Sequence, residues 1–122
     1  MGYHVVDPDA LEPMPDRDAE ARSITDHVGL TNLGLRVYRA DPGDQLPLVY
    51  HYHDEQEEAF YVVEGELNVE TPEGEYVVPA GQLFVATPGE PHRAYNPATA
   101  DAAVRVLAVG APAVDDAHPY EP

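Results

Sequence analysis

No segment of this chain runs far before a glycine or a proline interrupts it, and that punctuation limits the fold more than any other feature. Thirteen prolines and nine glycines are spread through 122 residues. Between them the apolar side chains alternate with polar ones, the period of a strand and not of a helix. Leu35 and Val37 alternate against Gly34, Arg36 and Tyr38, and Leu67 and Val69 repeat the pattern. The spacing predicts strands near Leu33–Tyr38, Leu46–His53, Glu58–Val63, Leu67–Glu70, Tyr76–Val78, Leu83–Ala86, His92–Asn96 and Val104–Val109. Turns are expected at 41–44, at Thr71-Pro-Glu-Gly74, at Pro79-Ala-Gly81 and at 88–91. About seven or eight short strands of this kind describe an all-β chain, an antiparallel barrel or sandwich. Residues 1–32, broken by Pro8, Pro13 and Pro15, read as an N-terminal arm in which Asp18–Arg22 manages a helical turn at most. Residues 33–111 read as the barrel, and the acidic, proline-bearing residues 112–122 as a C-terminal tail.

Charge narrows the partners. Twenty-three acidic residues face six basic ones, for a net charge of −17, and every basic residue is an arginine. Such a surface repels nucleic acid phosphates and anionic lipid, so neither is an expected partner. An acidic, lysine-free composition suits molar salt, where the Debye length is only about 3 Å and carboxylates repel one another little. A halophilic origin is the expectation. With no cysteine, thiolate metal sites and disulfides are excluded, and any metal must be held by nitrogen and oxygen. No apolar run approaches the roughly 20 residues that span a bilayer, so a soluble cytoplasmic protein is expected.

His51-Tyr-His53, Glu58 and His92 carry the chemistry. Alternation along a strand puts His51 and His53 on one face, together with Val49. Two imidazoles left unpaired inside a barrel are costly, whereas two that coordinate a cation are satisfied. Glu57 is the competing carboxylate, but its parity is opposite to that of Glu58. His4, His27 and His118 lie in arm, loop and tail, and read as solvated side chains.

These residues resemble the motifs of the cupin superfamily, in particular its small single-domain members. The first motif, G-x(5)-H-x-H-x(3,4)-E-x(6)-G, is met by His51, His53, Glu58 and Gly65, with Gly43 two positions early. The second, G-x(5)-P-x-G-x(2)-H-x(3)-N, is met by Gly81, Gly89, His92 and Asn96, with Thr87 in place of the proline and Pro88 after it. The resemblance implies a double-stranded β-helix with His51, His53, Glu58 and His92 as metal ligands. One divalent transition ion per chain is then expected, and nitrogen and oxygen ligands suit iron, manganese, nickel, zinc, copper or cobalt alike.

The function this implies is a mononuclear metalloenzyme, oxygenase-like or isomerase-like, that acts on a small organic molecule with Glu58 as the catalytic base. The alternatives are a non-catalytic small-ligand or metal-binding sensor module, and a metabolite-binding barrel whose metal is structural. Fold alone does not choose among them. Phe60 and Val62 are expected to wall the cavity, Arg36 and Tyr38 are candidates to line it, and Arg93 and Tyr95 should face away. A homodimer is expected, formed through an open edge near Leu33–Tyr38 and through Val5, Val6, Leu11, Ile24 and Leu30 of the arm.

Overall fold

The computed structural model describes residues 2–122, the side chains of Pro47 and Leu48 excepted. Ten strands follow one another: β1 (Glu20–Ser23), β2 (Gly34–Ala40), β3 (Gln45–His53), β4 (Glu57–Glu64), β5 (Glu66–Thr71), β6 (Gly74–Pro79), β7 (Leu83–Ala86), β8 (His92–Tyr95), β9 (Val104–Ala111) and β10 (Ala117–Pro119). They pair antiparallel into two five-stranded sheets, ordered β1-β2-β9-β4-β7 and β10-β3-β8-β5-β6. The fold is all-β, two sheets closed face to face on one core.

The core follows from the alternation. Tyr38, Leu46, Phe60, Val62, Leu67, Val69, Ala94, Val104 and Val106 are buried between the sheets. Removing each large side chain from water contributes about 1.5–3 kcal/mol. Asn96 is buried with them, and its amide donates to the carbonyls of Ala40 and Ala102 at 3.1 and 2.9 Å. The motif asparagine therefore ties two loops together. Gly65, at φ 78°, turns the chain between β4 and β5, and a Cβ there would lie 2.6 Å from the Ala103 carbonyl oxygen.

Both segments set apart as arm and tail supply strands. Glu20–Ser23, expected to be helical at most, pairs with β2 from Glu20↔Arg39 to Ser23↔Arg36. Ala19, Ala21 and Ser23 are buried under it, so pairing and burial override the helical preference of Glu-Ala-Arg. A short helix α1 (Ile24–Val28) follows, its N-terminus capped by Ser23 Oγ, which accepts from the Asp26 N–H at 3.1 Å. Ala117–Pro119 pairs with β3, and Pro119 is tolerated because that strand lies at the sheet edge.

Two expectations need correcting. The segment Leu33–Tyr38 is no open edge, because β2 has β1 on one side and β9 on the other. Val49 does not share the histidine face and is 57% exposed. A break in the β3–β8 register between Leu46 and His51 resets the alternation, which lets both of those residues point inward despite opposite parity.

The outer face of the first sheet carries an uncharged patch in its middle, with Arg39 and Arg105 at one end and Glu57 at the other. Register places Leu35 beside Val109, Val37 beside Leu107, Tyr61 between Leu107 and Leu83, and Ala59 between Val109 and Val85. Leu83 and Val85 are 58% and 60% exposed. An antiparallel sheet with one face on the core normally turns polar residues outward, and the middle of this one does not.

Candidate metal centre

Three strands bring the histidines and Glu58 together. His51 on β3 stands directly opposite His92 on β8, with ring centroids 4.7 Å apart. Glu58 is the second residue of β4 in the other sheet, between Ala86 and Gly110. One donor atom each from His51, Glu58 and His92 lies within 4.8 Å of the others. His53 Nε2 stands slightly apart from that triplet, 3.7 Å from Glu58 Oε2. His51, His53 and His92 are all buried. Glu57, by contrast, is exposed and faces away from the group.

Hydrogen bonds at the far side of each ring fix which nitrogen faces inward. His51 Nδ1 donates to the Val49 carbonyl at 2.8 Å, His92 Nδ1 to the Glu90 carbonyl at 2.9 Å, and His53 Nδ1 to Asp116 Oδ1 at 2.8 Å. With Nδ1 carrying the proton, Nε2 presents a lone pair to the group. The Nε2 atoms of His51 and His53 are buried and have no hydrogen-bond partner among the described residues. Two orphaned acceptors in the same place carry a desolvation cost that a bound cation offsets. The donor set fits a divalent transition ion.

His92 differs from its neighbours. Its Nε2 lies 2.8 Å from Glu58 Oε1, so one proton is shared between the two side chains. Burial alone lowers the basicity of His92, but the bonds to Glu58 and the Glu90 carbonyl, with the charge of Glu58, outweigh it and raise its pKa. His51 has no such partner, and burial pushes its pKa down. That shared proton has to leave before both atoms can act as ligands, so occupancy should weaken as pH falls.

Asp116 was not singled out by any sequence pattern. Burial opposes its charge, yet the N–H groups of Glu55 and Gln56 at 2.7 and 3.0 Å, together with His53, hold its pKa down to about 2. It is thus a carboxylate that orients a histidine and pins the β3–β4 loop at once, the usual support for a metal-binding imidazole. Asp116→Ala is expected to weaken metal affinity about 10- to 100-fold while leaving the ligands in place. A chelator competition giving the wild-type constant would remove Asp116 from the site.

A cavity of about 490 Å³ opens onto His51, His53 and Glu58. Arg36 and Tyr38 line it, as do Arg17 and Gln56, which the sequence did not suggest. Phe60, expected on the wall, is packed in the core instead and stacks on Phe84 with centroids 6.5 Å apart. Arg93 and Tyr95 turn away from the site, bonded to Glu70 and Glu75. His118 bonds Asp54 at 2.6 Å on the surface, and His4 and His27 are exposed.

Two antiparallel sheets closed on a buried histidine–carboxylate group define a double-stranded β-helix of the metal-site type. The sequence profile of the cupin domain matches residues 36–110, and the chain belongs to the cupin family. Among solved structures it is similar to a cupin-superfamily sugar phosphate isomerase from Silicibacter pomeroyi, with 28% identity and a TM-score of 0.77 over 88% of this chain and 75% of that one. It is also similar to a polyketide cyclase from Streptomyces resistomycificus, at 20% identity and a TM-score of 0.80 over 98% and 87% of the two chains. A predicted oxalate decarboxylase from Thermotoga maritima shares 19% identity with a TM-score of 0.74 over 88% and 98%. No curated protein is significantly similar. No helix among the described residues is long and apolar enough to cross a membrane.

Proposed function

We propose that this cupin is a mononuclear metalloenzyme, isomerase-like or oxygenase-like, acting on a small organic molecule. One divalent transition ion would be held by His51, His53, Glu58 and His92. The observation that carries this reading is the pair of buried, unpartnered Nε2 atoms on His51 and His53 at the mouth of a cavity. When bound, the ion supplies a Lewis acid for a substrate oxygen. The chain supplies the rest. Glu58, whose Oε1 lies 2.8 Å from His92 Nε2, would take a proton from substrate once the proton between the two side chains has left. Tyr38 and Arg36 line the cavity and set which molecule fits. The neighbours described as isomerase, cyclase and decarboxylase make small-molecule turnover the reading favoured over a silent sensor.

The test compares two neighbouring carboxylates. Glu58→Gln keeps shape but loses the charge that balances a cation, and it should lower metal affinity at least tenfold. Glu57→Gln, exposed and facing away, should leave affinity unchanged. Equal constants from calorimetric titration with manganese or zinc would overturn the assignment of Glu58.

Homodimerisation is proposed through the apolar outer face of the first sheet rather than through a strand edge. A second copy is the favoured occupant, since it brings an equal apolar patch while the chain as a whole carries the net −17. Leu107→Glu, in the middle of that face, should halve the mass seen by light scattering in high salt. A wild-type mass near one chain's 13.3 kDa would rule the dimer out.

A further inference from the structure

Arginine is scarce here, and the place of each one is informative. Six arginines face 23 carboxylates. Arg22 is held by Glu20 at 2.7 Å, Arg39 by Asp41 at 3.1 Å, Arg93 by Glu70 at 2.7 Å and Arg105 by Asp9 at 2.7 Å. Among the described residues Arg17 and Arg36 have no carboxylate at ion-pair distance. Both line the cavity that opens onto the histidines and Glu58. Asp26, Asp115 and Glu58 line the same cavity, but among the described residues none of them lies at ion-pair distance from either arginine.

Arg36 is half-buried on the inward face of β2, and its guanidinium donates to the neutral Tyr38 hydroxyl at 3.3 Å. A guanidinium removed from water without an anion is left with an uncompensated cost, which an entering oxyanion offsets. Its planar fork matches a carboxylate or a phosphate in two parallel hydrogen bonds. The register fixes the distance to the metal centre. Arg36 pairs with Ala108 on β9, while Glu58 pairs with Gly110 on the same strand. That is two residues along and two strands across, on the order of 12 Å between backbones. Gly34 and Gly110 occupy the row leading to Glu58, and the absence of a side chain on Gly110 makes room for Gln56. A Cβ on Gly110 would meet the Gln56 amide at 2.8 Å. Between Arg36 and the histidine group the cavity is therefore bordered by the Gln56 amide, which the glycine admits.

We infer that this cavity binds a short organic oxyanion, a carboxylate or a phosphate monoester, with its anionic end on Arg36 and Arg17 at the rim. The far end of the molecule then reaches His51 and Glu58. Only this second statement rests on the metalloenzyme reading; the anion site stands on the arginines. Distant surface carboxylates oppose it little, because at physiological ionic strength they are screened beyond about 8 Å, whereas Asp26 and Asp115 line the cavity and are the charges that the two arginines have to outweigh.

The experiment is calorimetric titration with inorganic phosphate and, separately, succinate, on protein with and without manganese. One of the two probes should bind at one site per chain, and which one identifies the anion as phosphate or carboxylate. Arg36→Gln should weaken that binding at least tenfold with manganese content unchanged, and Arg36→Lys should recover part of it. Arg39→Gln removes the same charge from an exposed ion pair and should change affinity less than twofold. Equal losses in Arg36→Gln and Arg39→Gln, or no binding of either probe, would overturn the inference. Arg36-dependent anion binding by a protein that takes up no manganese would leave the anion site standing and remove the metal reading. Manganese uptake without Arg36-dependent anion binding would do the reverse.

Discussion

His51→Ala is expected to empty the metal site while leaving the barrel folded. The substitution deletes one of four converging donors and opens the space next to His92, whose ring lies 4.7 Å away. Losing a residue that only supports a ligand typically costs 10- to 100-fold in affinity, so losing a ligand should cost more than about 100-fold. His92→Ala should do the same and should also release Glu58 from its 2.8 Å contact. Phe60 meets the site edge-on at His92, but Val62, Leu67 and Val106 are buried in the same core, so circular dichroism should still report a folded all-β chain. Elemental analysis after manganese loading and desalting gives the answer. Wild-type occupancy in either variant would end the four-ligand assignment.

Gly65→Ala should cause the largest loss of stability of any single methyl added to the chain. The backbone there sits at φ 78°, where a side chain costs about 1–2 kcal/mol. The new Cβ would also lie 2.6 Å from the Ala103 carbonyl oxygen and 3.1 Å from Val104 Cα, both backbone atoms of a packed strand start. Overpacking of this kind adds about 1–3 kcal/mol. Together these should lower the melting temperature by on the order of 10 °C. Gly29→Ala provides the comparison, because its φ is 84° but nothing lies within 4 Å of the added atom. Equal melting temperatures for the two variants would show that the Ala103 contact is relaxed at no cost.

The eight strands from Gly34 to Ala111 were legible because most of their inward positions carry Val, Leu, Tyr or Phe, which make alternation visible, while β8 points His92 and Ala94 inward and was marked by its flanking prolines. β1 was not, since its inward residues are Ala21 and Ser23, too small to stand out, while Glu20 and Arg22 favour a helix locally. β10 was hidden for a related reason: three residues ending in proline carry almost no strand signal, and only their pairing with β3 makes them one. The ligand residues were readable from spacing and from the family motif. Asp116 was not, because a single aspartate in an acidic tail looks like any other until the fold brings it within 2.8 Å of His53. Val49 was misplaced because a break in register leaves no mark in composition.

The strand order has a kinetic consequence. β2 finds its partner β9 across most of the chain, with Gly34 opposite Gly110, and β9 in turn pairs with β4. Among the described residues the β5–β6 pair closes through a tight turn, from Thr71↔Gly74 outward, and β1–β2 closes across α1 from Ser23↔Arg36. Topologies dominated by such distant pairings fold in milliseconds to seconds, since long loops must close before the contacts that reward them exist. His51 and His53 come from one sheet and Glu58 from the other, so the complete donor set exists only after both sheets have met. The apolar barrel thus has to reach its native topology by itself, and the rate at which protein becomes competent for metal is set by sheet closure, not by the supply of ions.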